Sequence, residues 1–157
     1  MDQTPSPPDP FESLKLGNQL CFAIYAAAHA FTGAYKPLLD RLGLTYPQYL
    51  VLLVLWEEEG LSVKEIGQRL HLDSGTLTPV LKRLEKAGFV RRRRDAQDER
   101  QVRVELTDKG WDTRTKALEV PRAMICALGQ PEPKLQELKR AVDQLQAALR
   151  SGSKIAA

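Results

Sequence analysis

Apolar residues recur along this chain at helical spacing over most of its length and at strand spacing in one short stretch. Leu16, Leu20, Ala23, Ala27 and Phe31 stand three and four apart, which predicts a helix from Leu14 to about Lys36, ending near Pro37. A short helix over residues 38–42, stopped by Gly43, is expected to follow. From Tyr49 to Trp56 the residues are apolar nearly all round, so the helix that Thr45 caps, with Pro47 in its first turn and Gly60 closing it, should be buried. Ser62 with Glu65 three residues on has the capping-box spacing, and Val63, Ile66 and Leu70 mark the buried face of the helix it opens. Asp73 starts a partner helix that runs to Ala87, where Gly88 supplies a left-handed exit. Its apolar stripe is Leu77, Val80, Leu81 and Leu84.

The period then changes. Phe89 and Val90 open a strand, and Val102, Val104 and Leu106 alternate with polar residues on the return. Two short capped helices followed by a hairpin describe a winged helix-turn-helix, in a chain that is otherwise mainly α. The second helix leaves Ser74, Thr76, Thr78, Pro79, Lys82, Arg83 and Lys86 on or near its open face. Small hydroxyls in front and cations behind suit a helix pushed nose-first into the major groove of double-stranded DNA. Residues 94–100 form the charged tip of the hairpin. Arg94 or Arg100 is the candidate reader of the narrow minor groove there, with Asp95 or Asp98 as the carboxylate that braces its guanidinium.

Thr107 caps a long helix expected to be interrupted by Pro121 and ended by Gly129. After Pro131 and Pro133, Leu135, Leu138, Val142, Leu145 and Leu149 form a heptad seam that needs a partner. With the first helix it predicts a homodimer whose recognition helices lie about 34 Å apart, matched to a pseudo-palindromic operator. The organisation expected is an extended or disordered arm (1–12), dimerisation and sensing helices (13–44), a DNA-binding lobe (45–107), C-terminal dimerisation helices (108–150) and a tail (151–157).

Composition sharpens this reading at three points. The 157 residues are 43% hydrophobic, enough for one compact subunit with a real core. Net charge is only +3, yet residues 82–103 hold nine Lys/Arg against four Asp/Glu, so the positive charge is local, as a phosphate-binding face requires. The amino terminus has no positive n-region or apolar h-region, and no apolar run reaches the ~20 residues that cross a bilayer, so a cytoplasmic protein away from membranes is expected. There, Cys21 and Cys126 are expected as free, catalytic or redox-active thiols rather than a permanent bridge. His29 and His71 make no short-spaced metal pair with either cysteine, so neither metal nor cofactor is expected.

Cys21 with Tyr25, Tyr35 and Tyr46, set in LGNQLCFAIYAAAHAFTGAYKPLLDRLGLTYPQYLVLLVLWE, closely resembles the organic hydroperoxide sensing repressors of the MarR family, over roughly Leu14 to Leu149. The resemblance implies a MarR-like homodimer in which Cys21 is the peroxide-reactive thiol. It places the thiol-binding tyrosines on Tyr35 and Tyr46 and a pocket aromatic on Tyr25. Cys126 falls on the resolving cysteine of the two-cysteine branch, whose disulfide joins opposite subunits and releases operator DNA. Where the wider family often carries an arginine in the wing this chain has Gln97, so carry-over there rests on Asp95 and Arg100.

The chemistry is sensible in itself, because phenolic hydrogen bonds favour a thiolate and the thiolate is the nucleophile. Apolar neighbours such as Phe22, Ile24 and Phe31 suit an organic hydroperoxide as effector. No enzymatic turnover is expected. The rival readings are a regulator that binds a phenolic ligand non-covalently, and a thiol peroxidase, which has no use for a recognition helix.

Overall fold

A computed structural model describes residues 10–95 and 101–152. Gln97, Asp98 and Arg100, and residues 1–9 of the expected arm, lie outside them. In chain order the elements are α1 (Leu20–Asp40), α2 (Tyr46–Glu57), β1 (Leu61–Ser62), α3 (Val63–Leu70), α4 (Ser74–Lys86), β2 (Val90–Arg94), β3 (Val102–Leu106), α5 (Asp108–Ala117), α6 (Glu119–Leu128) and α7 (Glu132–Arg150). The described residues fall into two compact units that divide between Lys116 and Ala117.

In the first unit α2 is the central pillar, as its all-round apolarity predicts. Val51, Leu52 and Leu55 are completely buried, and the core continues through Ile66, Leu77, Leu81, Leu84, Val90 and Val104. The strands form a three-stranded antiparallel sheet in the order β1-β3-β2. Val104 and Leu106 face the core and β3 alternates as expected. The strand β1, only Leu61–Ser62, is too short to show an alternation in the sequence.

Three helix boundaries differ from expectation. Helix α1 begins at Leu20, after two single 3-10 turns at Glu12–Leu14 and Leu16–Asn18, not at Leu14. It also runs through Pro37 to Asp40 instead of breaking there. Continuing through proline forfeits one backbone hydrogen bond, but the extra turn places Leu39 at 1% exposure in the core, which offsets that loss. Downstream, the long helix divides at Leu118, three residues before Pro121. Pro121 then occupies the first turn of α6, where its missing N–H is not needed, and its ring avoids a continuous helix through Ala117.

The helix caps follow the sequence. The Thr45 N–H donates to Gln48 Oε1 at 2.8 Å. Ser62 Oγ accepts from the Glu65 N–H at 3.2 Å while Glu65 Oε2 accepts from the Ser62 N–H at 2.7 Å. Thr107 Oγ1 accepts from the Gly110 N–H at 3.2 Å. Gly88 leaves α4 with φ +79°, the left-handed exit expected of it. Gly110 serves a purpose that spacing alone does not reveal. Its carbonyl accepts the buried Trp56 indole N–H at 3.0 Å, and a Cβ at this position would lie 2.2 Å from the Phe89 carbonyl oxygen.

In the second unit α6 buries Val120 and Met124, whereas α7 buries no residue. Leu138, Val142, Leu145 and Leu149 are all exposed along one seam.

Because no side chain fits between Gly110 and Phe89, Gly110→Ala should destabilise the protein by about 1–3 kcal/mol. Removing the Ser62 cap with Ser62→Ala should cost about 1 kcal/mol. Urea unfolding monitored by circular dichroism checks both, with a shifted midpoint and an unchanged slope.

Candidate nucleic-acid interface and redox site

The helix expected to enter the major groove is α4. Asp73 caps it twice over, since Oδ1 accepts from the Thr76 N–H at 2.9 Å and Oδ2 from the Thr76 hydroxyl at 2.8 Å. These bonds hold the Asp73 carboxyl below the usual carboxylate range, the Thr76 hydroxyl first. The same logic lowers Glu65 at the start of α3, where the Ser62 N–H is the main cause. Ser74, Thr76, Pro79, Lys82, Arg83 and Lys86 are exposed together, and Thr78 is half-buried. Thr78 donates its hydroxyl to the Ser74 carbonyl at 2.6 Å, leaving its oxygen free to accept a further bond.

The wing is more internally paired than its arginine run implies. Arg91 Nε donates to Glu105 at 2.7 Å, Arg93 stands 3.8 Å from the same carboxylate, and Arg92 pairs with Glu85 at 2.6 Å. Arg94 is exposed, and among the described residues no carboxylate pairs with it. Asp95 accepts from the guanidinium of Arg103, whereas the sequence suggests Arg94 or Arg100 as its partner; Arg100 lies outside the described residues. Arg103 also donates to the Gly60 carbonyl at 2.8 Å, joining the wing to the loop before α3. The arginines and Glu105 sit on β2 and β3, where Arg91 stands opposite Glu105 and Arg93 opposite Arg103, while Glu85 lies on α4 and Asp95 just after β2.

Cys21 is the second residue of α1 and is exposed. Around it Phe22, Ile24, Tyr25 and Phe31 are exposed too, so this stretch of α1 presents an uncovered apolar surface. The Tyr25 ring packs edge-on against His29 with centroids 4.4 Å apart. Tyr35 and Tyr46 come together at 4.8 Å between centroids, and Tyr49 joins them 6.1 Å from Tyr35. A cavity of about 450 Å³ opens beside Tyr46, lined also by His29, Thr32, Leu39 and Leu44. Within one chain the tyrosine pair does not meet Cys21: position 35 is fourteen helical steps beyond position 21, about 21 Å at 1.5 Å per residue. Cys126 is exposed on α6 in the second unit.

Burial raises the pKa of Tyr35, Tyr46 and Tyr49 above the ordinary phenol value, and their mutual proximity adds to the effect at Tyr35 and Tyr49. All three therefore stay protonated, as hydroxyl donors, well above neutral pH.

Winged helix, capped recognition helix and open dimer-type seams define a DNA-binding regulator, and comparison with known proteins agrees. The family described as Transcriptional regulator SarA/Rot matches residues 34–116. The organic hydroperoxide resistance transcriptional regulator of Bacillus subtilis (strain 168) is 49% identical over 132 residues, covering 84% of this chain and 90% of its own. The regulator TtmR of Methylorubrum extorquens (strain PA1) is 76% identical over 95 residues, 60% of this chain, and the chain spans about half (49%) of that relative's length. Among solved structures, reduced AbfR of Staphylococcus epidermidis bound to DNA superimposes with a TM-score of 0.76 at 41% identity, covering 89% of this chain and 96% of that one. Disulfide-formed AbfR covers 89% and 93% at 40% identity, with a TM-score of only 0.60. The chain belongs to the MarR-type winged-helix transcriptional regulators of the SarA/Rot family.

The raised tyrosines have a consequence for stability. Above about pH 10 an unfolded chain releases its phenolic protons before the folded one does, so the folded state holds more protons and loses stability as pH rises. Their contribution is fully present below that pH and fades through the higher folded values. Urea unfolding across the alkaline range should show this decline, and Tyr46→Phe should make it shallower.

Proposed function

We propose that this chain is a homodimeric, cytoplasmic transcriptional repressor that binds a pseudo-palindromic operator and releases it when an organic hydroperoxide oxidises Cys21. The observation that carries the reading is the 21 Å separation along α1 of an exposed thiol from a pair of protonated tyrosines, on a helix whose apolar face is uncovered. Two copies of α1 crossing antiparallel bring Cys21 of one protomer toward Tyr35 and Tyr46 of the partner subunit. The crossing point this requires is residue 28, midway between Cys21 and Tyr35, in the stretch Ala26-Ala27-Ala28, where small side chains permit close helix approach. The open α7 seam supplies further contact for the same dimer.

In this arrangement the tyrosine hydroxyls donate to the Cys21 sulfur. The thiolate attacks one peroxide oxygen; an S–O bond forms, the O–O bond breaks, and the other oxygen takes up a proton and leaves in the alcohol. The resulting sulfenic acid condenses with the Cys126 thiol of the partner subunit, forming the disulfide and expelling water. Closing that bond needs Cα atoms within about 7 Å, which fixes one relative placement of the helices. DNA binding needs another, so affinity falls. That AbfR, about 40% identical, occurs both reduced on DNA and disulfide-formed supports a two-state reading.

The cavity beside Tyr46 favours a second reading, in which a phenolic ligand binds there without covalent chemistry. No helix among the described residues is long and apolar enough to cross a membrane.

Gel-shift titration with a duplex selected from a random pool separates the readings. Treatment with cumene hydroperoxide should weaken binding of the parent about 5–150-fold and dithiothreitol should restore it. Cys21→Ser should bind as tightly as the parent and ignore the peroxide. Cys126→Ser should still oxidise at Cys21 but lose the covalent dimer on a non-reducing gel. A Cys21→Ser protein that still responds to the peroxide overturns the proposal.

A further inference from the structure

Three of the four consecutive arginines at the start of the wing are paired with carboxylates, and the pairings are not equivalent. Arg91 and Arg93 project from the outer face of β2, with side chains 57% and 64% exposed, toward Glu105 on the neighbouring strand. Arg92 alternates with them and shares the inward register of Val90, opposite the fully buried Val104. Its side chain is only 29% exposed and meets Glu85, 35% exposed, on the last turn of the recognition helix.

The contact is threefold. Arg92 Nε donates to Glu85 Oε2 at 2.8 Å and the terminal nitrogen lies 2.6 Å from the same oxygen. The Arg92 backbone N–H donates to Glu85 Oε1 at 3.1 Å. Because β2 is an edge strand, an N–H directed away from β3 has no strand to receive it. Glu85 receives it instead, so one carboxylate holds both the main chain and the side chain of a single residue. Arg92 is the main cause of the lowered Glu85 pKa.

The position of this contact matters because the connection it bridges is a glycine exit. Helix α4 passes into β2 through Ala87 and Gly88, the latter at φ +79°, a residue type with the widest backbone freedom. We propose that Glu85 and Arg92 are positioning residues that lock the wing at a fixed angle to the recognition helix, setting DNA affinity without either one touching DNA. This rests on the DNA-binding reading above. A duplex engaged by both major-groove helix and wing tip is bound well only if the two arrive with the right separation, and a pre-set angle removes the ordering cost at binding. Arg92 is then withdrawn from the phosphate-binding charge that its place in an arginine run implies.

The test exploits the opposite electrostatic expectations of a strut and an interface charge. Operator binding is measured for the full-length reduced protein on the duplex selected from a random pool, at several salt concentrations. The variants are Glu85→Gln, Arg92→Gln, the double variant and Arg92→Lys, each assayed well below its own melting temperature. Each single glutamine variant should bind about tenfold more weakly. The double variant should be no weaker than either alone, and the slope of log affinity against log salt should match the parent. Arg92→Lys, which keeps the charge but not the two-pronged contact, should resemble Arg92→Gln and serves where a glutamine variant fails to fold.

The proposal is overturned if Glu85→Gln binds as tightly as the parent or tighter, which is what neutralising an acid beside DNA would give. It is equally overturned if Arg92→Lys behaves as the parent while Arg92→Gln loses about 0.9 from the salt slope, the signature of a phosphate contact. Failure of the parent to bind any selected duplex would instead refute the DNA-binding reading itself.

Discussion

Helix α2 has no polar face to give to water, and the first unit is arranged around that constraint. With Val51, Leu52 and Leu55 fully buried, every side of the helix needs an apolar neighbour. The two short helices of the DNA-binding motif supply Ile66, Leu77, Leu81 and Leu84, and the sheet supplies Val90 and Val104. Each is amphipathic and too short to persist alone in water. Their outer faces, which carry the exposed hydroxyls and cations of α4, are therefore fixed by what their inner faces bury. Trp56 extends the arrangement by donating to the Gly110 carbonyl, so the same helix that centres the core also anchors α5.

Charge in the lobe is divided between two tasks. On α4, Lys82, Arg83 and Lys86 are exposed and open to phosphate. In the wing, Glu85, Glu105 and Asp95 bind Arg92, Arg91 and Arg103. A hairpin at the edge of a three-stranded sheet has little core of its own, and ion pairs with good geometry give it a definite orientation that hydrophobic contact alone would not. Counting arginines thus overstates the charge that DNA would meet.

Much of the fold was legible in the sequence because helix caps and apolar periodicity are local signals. Ser62 with Glu65, Asp73 with Thr76, Gly88 and Thr107 each act within a few residues, and each is found where the pattern puts it. Pro37 misled for an equally physical reason: proline lowers the local helical preference, but it does not report that Leu39 will be buried two residues later. The partners of the arginines were hidden because they depend on register. Only the antiparallel pairing of β2 and β3 sets Arg103 near Asp95 and turns Arg92 inward to Glu85. The separation of Cys21 from Tyr35, by contrast, follows directly from helical rise once α1 is seen to be unbroken.

That unbroken helix has a consequence in genetics. If the thiol and its hydroxyl donors come from different chains, each dimer holds two crossed sites, and each chain gives half to both. An allele lacking Cys21 is blind, and so is one lacking the tyrosine hydroxyls, because every site in either homodimer is incomplete. Expressed together, the two alleles form some mixed dimers, and in each of these one site regains an intact cysteine facing intact tyrosines. Two defective copies of the same gene would then complement each other, a behaviour that a sensor contained within one chain cannot show.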